Sequence, residues 1–453
     1  MNPHDLILRR SVPAARPVPA AERRGRAVIV DPYSTGAHLA EAFGRHGIQA
    51  VAVQGMAPPL GRTEHSRPEQ YAAVISDGAD TMDTARRLRQ LEVRHVLAGT
   101  ESGVPLADRI AHRLGVPGND PSTSGKRRDK FAMALALAHA DLPHARTIQA
   151  VTDDGARKAA EELGGWPLVI KPAASAGSDH VVIAHDIAAV SATAREILAT
   201  SDLFGRPNHA LVVQRYLVGT QFAVNSVSQH GVHRIVEVWL DRRTDLGDGR
   251  LIYDRMDLLA PDDDRVPLLA DYVRACLDAL GIVHGPAHSE VMLTADGPVL
   301  IETGARLQGG DSVPLMRAAT GSSQTDAAVQ AALDSPDAHA ARARAPYPYA
   351  PVTQLFLQAP ADGWISESAI ERLLQVPGVA GCVHTPASGT AVRRTVDLLS
   401  SPATVYLSGD TAQQVDEAHA AVRELEADHI YQTRPAALGG EPLRPPGTGL
   451  SRG

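Results

Sequence analysis

Two glutamates on either side of a tight turn are the residues best placed to do chemistry. The segment 288–303 alternates polar and apolar residues as two short strands would, with a turn at 295–297. If those three residues form the loop, with Gly297 in the left-handed region, Glu290 lies directly opposite Glu302. Their Cβ atoms would then be about 5 Å apart on one face of the hairpin. The other face carries an apolar set predicted to enter the core: Val291, Leu293, Val299 and Ile301.

Two carboxylates held opposite each other repel, so a positive group must neutralise them. A divalent cation is one such group, because Mg²⁺ is commonly held by one or two carboxylates together with substrate phosphates. The pattern also fits an exposed hairpin with solvated acids, and a two-residue loop would offset the pair. His288 shares the face of Glu290, so it is either a substrate-site candidate or a polar residue that fills the hairpin surface.

A short polar segment follows the second glutamate. Arg306 lies four residues after Glu302, and Gly309 and Gly310 come soon after. A forked guanidinium here could hold a transferring phosphoryl group or a substrate carboxylate. The two glycines would let the backbone approach a ligand closely. An ordinary loop explains the same residues when they are taken alone.

The chain has 44 basic residues, of which only four are lysine and 40 are arginine. Lys171 ends an apolar strand, where a buried ammonium needs an anionic partner. The small residues after it, including Ser175, Ala176 and Gly177, offer N–H groups that suit a cover over phosphates, or form a plain turn. Lys130 lies early in a predicted helix, where a solvated side chain is the simple alternative. Lysine retained in an arginine-rich chain indicates a need for a compact ammonium.

The elements that must position these residues begin with a small α/β domain over residues 26–125. Short apolar runs separated by helical patterns predict a doubly wound arrangement with a parallel sheet. Its first turn is not a GxGxxG sequence, so a dinucleotide role is disfavoured. The predicted strands are 27–30, 50–53 and 95–98, and the predicted helices are 36–46, 80–91 and 104–114.

The hydrophobic pattern of residues 126–335 predicts a larger region rich in strands, which starts with a helix near 127–140. The pattern of residues 336–437 predicts a last small α+β unit. The tails 1–25 and 438–453 lack periodicity and are predicted to be disordered. The strands predicted in the larger region are 167–171, 181–184, 210–217, 222–228, 234–240, 288–293 and 299–303. The last unit has predicted strands at 353–357 and 404–407 and a closing helix near 411–426.

Composition and charge narrow the class of protein. The chain has 453 residues and a formal net charge of −8, so nucleic acid is not expected as the main partner. No apolar run reaches the roughly 18 residues of a membrane span, so we expect no membrane role, and the start of the chain has no apolar signal region. Cys276 and Cys382 are far apart and form no spaced framework, so we expect a reducing, cytoplasmic location. No nucleophile or zinc motif occurs.

Taken in chain order, these features resemble the ATP-grasp superfamily, and in particular its ATP-dependent L-amino acid (dipeptide) ligases. The resemblance covers residues 27–435. Two of the four lysines fall on the two nucleotide-binding lysine positions of that family. The matching segments are 30–36, 99–104, 127–130, 169–172, 214–217, Glu290 and 301–306.

The resemblance implies an α/β and α+β fold. It would consist of a doubly wound pre-ATP-grasp domain at the N-terminus, a two-lobed ATP-grasp cleft with a mobile subdomain at about 143–217, and the small C-terminal unit. By matching position, Lys130 and Lys171 would contact the phosphates of ATP under the loop that holds Ser175, Ala176 and Gly177. The adenine would be bound by residues of the segment between the lobes: Gln214, Arg215 and Leu217, with Gln221 following.

The resemblance also implies roles around the chemistry. Glu290 and Glu302 would hold Mg²⁺, or Mn²⁺ in its place, and Arg306 would stabilise the phosphoryl group or the tetrahedral intermediate. Glu101 would bind a substrate amino group. His288, Gly309 and Gly310 are further candidates for substrate contact.

Three residues depart from the family pattern. Gln214 replaces the acidic residue often found between the lobes, and Gln221 replaces the glutamate common after it. Gly304 stands where many members have an asparagine metal ligand. The last change leaves the third metal contact unassigned.

The family reaction is a two-step ligation. A carboxylate attacks the γ-phosphate of ATP to give an acyl phosphate and ADP, and an amine then displaces phosphate to form an amide. The expected partners are a small-molecule carboxylate and an amine, and a homodimer is one option for the oligomeric state. Two alternatives stay open: an ATP-grasp carboxylase that uses bicarbonate, and a degenerate nucleotide-binding protein without catalysis.

Overall fold

The structure is a computed structural model that describes residues 7–8, 25–55, 67–77, 81–175, 180–202, 205–246, 251–398 and 400–433. Most of the two tails predicted to be disordered lies outside these residues. Within the first tail, Ile7–Leu8 form a short strand, β1. In the described part of the chain, no helix has the length and apolar character that a membrane crossing requires.

The N-terminal domain is a four-stranded parallel sheet with helices around it, as predicted. Alternate residues of its central strand belong to two hydrophobic clusters on opposite faces, Val28 and Val30 to one, Ala27 and Ile29 to the other. Burial on both faces explains the continuous apolar run. The strands are β2 (Arg26–Val30), β3 (Ala50–Gln54), β4 (Tyr71–Ser76) and β5 (Val93–Ala98), in the order β4-β3-β2-β5. The helices are α1 (His38–Gly44), α2 (Thr81–Gln90) and α3 (Val104–Leu114).

One strand of this domain was not predicted. β4 lies at the edge of the sheet, and its residues alternate between buried and exposed. Residues 71–75 form a continuous apolar run like those of the neighbouring strands, so this signal was present in the sequence and was overlooked.

A small antiparallel sheet follows the helix α4 (Lys130–His139). This helix begins at Lys130 because the side chain of Asp129 accepts hydrogen bonds from the N–H groups of Phe131 and Ala132. The strands predicted at 167–171 and 181–184 are present, and they pair with each other in antiparallel orientation. The strands are β6 (Thr147–Ala150), β7 (Leu168–Pro172), β8 (Val182–Ala184) and β9 (Leu211–Arg215), in the order β6-β9-β7-β8, with helices α5 (Asp153–Leu163) and α6 (Ile187–Ala199).

A large antiparallel sheet forms the opposite wall of the cleft. Its central strand β10 pairs with β11 on one side and with β13 on the other. The helix α7 (Arg265–Ala279) packs against it with a fully buried Leu269, Val273 and Leu277. The strands are β10 (Thr220–Gln229), β11 (Val232–Asp245), β12 (Leu251–Leu258), β13 (Gly285–Thr294) and β14 (Gly297–Gly304).

The C-terminal strands extend this large sheet, because β12 pairs with β15. The full order is β1-β17-β19-β15-β12-β11-β10-β13-β14. The region predicted as a separate α+β unit therefore shares its main sheet with the cleft. Two helices precede this unit, α8 (Val313–Thr320) and α9 (Gln324–Leu333). The helices of the unit itself are α10 (Pro336–Ala343), α11 (Ala369–Gln375) and α12 (Ala412–Leu425). Its strands are β15 (Val352–Phe356), β16 (Gly363–Ile365), β17 (Val379–Val383), β18 (Ala391–Val392), β19 (Thr404–Ser408) and β20 (Tyr431–Thr433), and β18-β16-β20 form a small sheet of their own.

Candidate active site

The hairpin β13–β14 brings Glu290 and Glu302 opposite each other, although its turn differs from the predicted one. Thr294 pairs with Gly297, so the loop has two residues and the three-residue loop was wrong. A bulge between Glu290 and Val291 places one extra residue, Ile301, on β14 and restores the predicted pairing of the two glutamates.

The bulge also changes which residues reach the core. Ile301, predicted on the apolar face, lines the cavity beside Glu302 instead. Leu300 takes its place and is buried in the core with Val291.

Both glutamates have positive or polar neighbours. Glu302 Oε2 lies 2.9 Å from Lys130 Nζ. Glu290 Oε2 accepts a hydrogen bond of 3.0 Å from Gln221 Nε2, and Glu290 Oε1 lies 3.7 Å from His288 Nε2. Gln221, one of the departures from the family pattern, therefore contacts a predicted metal ligand.

The charge of Glu290 is stabilised by its surroundings. Burial by itself would raise the pKa of this carboxyl group. The nearby ring of His288 and the guanidinium groups of Arg243 and Arg306 outweigh burial and hold the pKa of Glu290 well below its usual range. The group is therefore ionised at neutral pH, as a metal ligand must be.

Lys171 is a buried cation in the same cavity. It is 4% exposed, and burial together with the positive charge of Lys130 lowers the pKa of Lys171 to about 8, against the opposing effect of Glu302 and Glu290. Among the described residues no carboxylate lies within ion-pair distance of its ammonium group. An anion in the cavity would stabilise this charge.

Lys130 links Glu302, on the large sheet, to the segment that follows strand β7 of the small sheet. Its Nζ donates to the carbonyl oxygen of Ser175 at 2.8 Å, and its own N–H donates to Ala173 at 2.9 Å. Ser175 is 92% buried and lines the cavity. The neighbouring Ala176 and Gly177, predicted to cover phosphates, lie outside the described residues.

The predicted adenine segment runs from β9 to β10. Gln214 is buried, and its Nε2 donates to Thr147 Oγ1 at 2.8 Å, which leaves its carbonyl oxygen to accept from a ligand. The N–H of Arg215, one of the backbone groups predicted to contact adenine, already donates to the carbonyl of Arg146 at 3.0 Å. Leu217 borders the same cavity.

The cavity lies between the small sheet and the large sheet and is lined by two chemically different sets of residues. The charged set consists of the two lysines and the two glutamates. The other set forms aliphatic walls that suit an aromatic base. These walls are Val169, Val181, Ile183, Leu217, Met292 and Ile301.

Arg306 is fixed by an ion pair with the N-terminal domain. Its Nε donates to Glu101 Oε2 at 2.8 Å and its Nη1 to the carbonyl of Leu307 at 2.8 Å. The other carboxylate oxygen, Glu101 Oε1, lies 2.9 Å from Arg128 Nη1. Burial would raise the pKa of Glu101, but Arg128 and Arg306 hold it below its usual range.

The Glu101–Arg306 pair accounts for the glycine at position 304. A Cβ atom on Gly304 would lie 2.5 Å from Glu101 Oε2, closer than any side chain tolerates. The space that an asparagine ligand would need is therefore occupied by the Glu101 carboxylate. In the described parts of the chain, no group of three or more His, Cys, Asp or Glu side chains could hold a metal ion.

The Gly309–Gly310 segment is held by both flanking domains. Gly310 has a φ of +92°, which favours glycine, and its carbonyl accepts from Tyr406 Oη at 3.0 Å. The next residue, Asp311, pairs with His38 of the N-terminal domain at 2.5 Å. Gly309 itself is exposed.

Several cavity residues were missed by the sequence reasoning. Arg243 and Tyr253 line the cavity between the two sheets, as do residues 396–398. The strand predicted to end at residue 240 in fact continues to Asp245. Asp241 and Arg243 share one face of that strand, and their period of two could have extended the prediction.

A family model described as an ATP-grasp domain matches residues 165–314. This range includes the cavity strands β7 to β14 and the two opposed glutamates.

Among curated proteins, the chain is 30% identical over 411 residues to a dapdiamide A synthase of Enterobacter agglomerans, covering 89% of this chain and 96% of that protein. Among solved structures, an L-amino acid ligase from Bacillus licheniformis matches with a TM-score of 0.71 and 19% identity, over 91% of this chain and 100% of that one. A carboxyaminoimidazole ribonucleotide synthase of Aspergillus clavatus, complexed with ATP, matches with a TM-score of 0.65 and 17% identity, over 89% and 98%. At these identities the two structures establish the fold, and the predicted α/β and α+β class is confirmed.

Proposed function

The chain belongs to the ATP-grasp family of ligases, and from that premise we propose that it joins an amino acid, or a similar carboxylate, to an amine through an acyl phosphate. ATP is one substrate, and the products are an amide, ADP and phosphate. The match to the dapdiamide A synthase covers nearly the whole of both chains, so the similarity extends well beyond the ATP-grasp domain at residues 165–314.

The observation that carries the proposal is the opposition of Glu290 and Glu302 in a cavity that also holds Lys130 and Lys171. The charged lining residues suit a triphosphate, and the aliphatic lining residues suit adenine. Lys171 adds the strongest electrostatic support, because a buried ammonium with a lowered pKa gains most from an incoming phosphate.

The donor set fits a divalent cation of the magnesium type. Glu290 and Glu302 offer the carboxylate oxygens that Mg²⁺ prefers, and only two protein ligands leave positions for phosphate oxygens and water. Mn²⁺ takes the same kind of ligands. When bound, the cation would neutralise negative charge on the transferring phosphoryl group. Lys130, which pairs with Glu302 in this structure, would be released to contact phosphate.

The bonds made and broken follow from this class of ligation. A carboxylate oxygen attacks the γ-phosphorus of ATP, the bond from that phosphorus to the β,γ-bridging oxygen breaks, and ADP leaves. The amine nitrogen attacks the carbonyl carbon of the acyl phosphate, phosphate leaves, and the nitrogen loses a proton. Arg306 would hold the phosphoryl oxygens or the tetrahedral intermediate, because a fixed guanidinium needs no reorganisation as charge develops.

Four further residues are proposed to contact the acid or the amine. Each carboxylate oxygen of Glu101 is engaged by one arginine and keeps a second lone pair, which could accept from a substrate ammonium. His288 lies beside Glu290 and lines the same small pocket as Glu101 and Arg306. The backbone of Gly309 and Gly310 would approach the substrate from the loop after Arg306.

The test is ADP and phosphate release with Mg²⁺-ATP across pairs of amino acids, with mass spectrometry of the products. Release that depends on the amine, with a product equal to the sum of two substrates minus water, is the expected result. Bicarbonate alone serves as the arm for a carboxylase. Glu302→Ala controls for contaminating ATPases. ATP binding without release for any pair or for bicarbonate would contradict the ligase assignment and support a non-catalytic nucleotide-binding protein.

A further inference from the structure

A second cavity lies beside the parallel sheet of the N-terminal domain. It has a volume of about 120 Å³ and shares no lining residue with the cavity of Lys171 or with the small pocket of Arg306. An apolar protein cavity of about 150 Å³ binds benzene, so this one has room for a molecule of about six non-hydrogen atoms. The roles assigned above use none of its residues.

Two helices form apolar walls on either side of this cavity. Their lining residues are small, so the space between the helices stays open. On α3 these residues are Val104, Ala107 and Ala111, and on α9 they are Ala328, Ala331 and Ala332.

The third wall is the open edge of strand β5, which is the last strand of its sheet and pairs only with β2. The N–H of Gly99 donates to the carbonyl of Val30 at 2.7 Å. Alternate residues of β5 bond to β2, so Val96 and Ala98 direct their N–H and C=O groups to the other side. Both residues line the cavity, and Ala98 is only 6% exposed. Among the described residues, these backbone groups have no hydrogen-bond partner, whereas buried backbone groups are nearly always paired.

Gln229 adds a second unpaired polar group to the lining. The residue is 8% exposed, and its Nε2 donates to the carbonyls of Ala331 and Asp334 at 2.7 and 2.8 Å. These two acceptors fix which end of the amide carries the nitrogen. The other end, Oε1, is buried without a hydrogen-bond partner in the described structure. A ligand with an N–H donor would satisfy this oxygen.

The lining offers no buried partner to a charged ligand. The carboxylate of Asp108 already pairs with Arg127 Nη2 at 2.7 Å. Burial and the neighbouring His230 lower the pKa of His284 to about 4, so that ring is uncharged at neutral pH. Arg94 is exposed to solvent. A charged group inside the cavity would therefore be buried without a counter-charge, which is costly.

We propose that this cavity binds a small uncharged amide, which pairs with the edge of β5 at Val96 and Ala98 and donates to Gln229. An amide carries a donor and an acceptor in one plane, as the backbone of an added strand does. A primary carboxamide has a second N–H for the Gln229 oxygen. The site requires neither ATP nor catalysis, although an amide is also the group that the proposed ligase forms.

The test is a saturation-transfer NMR titration of the wild-type protein with isobutyramide, which has the required size. Isobutyrate and isobutylammonium serve as charged ligands of similar shape. We expect saturable binding of the amide, and binding of the two charged ligands that is weaker by about tenfold or more, because their charge would be buried unpaired.

Three variants locate the binding. Ala332→Leu fills the cavity from α9 and should abolish saturable binding. Ala341→Leu is the matched control, because it enlarges an exposed alanine on the next helix, and it should bind as the wild type does. Gln229→Leu removes the unpaired oxygen and should weaken isobutyramide about tenfold, the range for one buried hydrogen bond.

The inference would be overturned if isobutyramide does not bind saturably to the wild type, or if it binds no better than the charged ligands. Wild-type affinity in a folded Ala332→Leu protein would also overturn it, because the amide would then bind elsewhere. If that variant does not fold, Ala107→Leu fills the cavity from α3 and decides in the same way. If Gln229→Leu does not fold, the filling variants still decide. Failure of the ligase assay would not affect any of these results.

Discussion

The two ends of the candidate active-site cleft differ in how their charged side chains are paired. At the end proposed to bind the nucleotide, no carboxylate among the described residues pairs with the buried Lys171, and Glu290 and Glu302 face each other. At the substrate end, Arg306 is paired with Glu101, which is paired with Arg128. A ligand at the first end would supply the partner that Lys171 lacks, whereas at the second end each of these three charged groups already has a partner of opposite sign. We infer that the nucleotide end is tuned for binding and the substrate end for holding a fixed catalytic geometry.

The largest effect should come from removing one of the opposed carboxylates. Glu302→Gln keeps the shape but loses the charge that would hold the metal, so amine-dependent ADP release should fall by about 10³-fold, the range for lost electrostatic stabilisation of a transition state. Asp296→Asn is the matched control, because it removes an exposed carboxylate from the turn of the same hairpin. Activity of Glu302→Gln within about tenfold of wild type would contradict the assignment of this glutamate.

Lys171→Met should stabilise the ligand-free protein while abolishing its response to ATP. The difference between a lysine pKa of 10.5 and about 8 corresponds to about 3 kcal/mol of stability lost at pH 7 by burying the charge. The folded chain binds this proton less tightly than the unfolded chain. The penalty is therefore fully present below pH 8 and disappears as the pH rises toward 10.5.

Chemical denaturation of the wild type and Lys171→Met at pH 7, with and without Mg²⁺-ATP, measures both the stability of the ligand-free protein and its stabilisation by ATP. The wild type should gain stability from ATP and the variant should not. A variant that is less stable than the wild type in the absence of ATP would show that Lys171 has a structural partner after all.

Glu101→Gln should lower turnover while leaving ATP binding almost unchanged. Loss of the negative charge loosens Arg306, so turnover should fall by about 10- to 100-fold, the range for a charge-assisted pair. The ATP dissociation constant should stay within about twofold, because Glu101 lies outside the nucleotide cavity. Equal losses in ATP binding and turnover would mean that the two ends are not independent.

ATP affinity should weaken above pH 8 as Lys171 loses its proton. With a pKa of about 8, roughly a tenth of the protein carries the charged lysine at pH 9, so the apparent dissociation constant should rise about tenfold between pH 7 and 9. Lys171→Arg stays charged over this range and should show a flat profile. A flat profile in the wild type would place the pKa of Lys171 well above 8.

The nucleotide end was the more predictable from sequence, since its signals are local. The pairing of Glu290 with Glu302 followed from residues twelve apart on one hairpin, and it survived a wrong loop because a bulge at Ile301 compensated. Lys130 and Lys171 stood out by their rarity among arginines. Both lysines do line the predicted cavity.

The substrate end was less predictable, because its contacts join distant parts of the chain. Glu101 and Arg306 are 205 residues apart, and nothing in either local segment specifies their contact. Their pairing also explains Gly304, which the sequence showed only as a departure from the family pattern. Residues 396–398 reach the cavity because the C-terminal strands join the large sheet. The prediction of a separate C-terminal unit gave no reason to expect these residues there.

The acyl phosphate is the central claim, and isotope transfer tests it most directly. The carboxylate substrate identified by the product screen would be labelled with ¹⁸O at both oxygens, and the released phosphate would be analysed by mass spectrometry. Attack of the carboxylate on the γ-phosphorus predicts that each released phosphate carries one ¹⁸O atom. Unlabelled phosphate, or ¹⁸O found in AMP, would contradict an acyl phosphate intermediate.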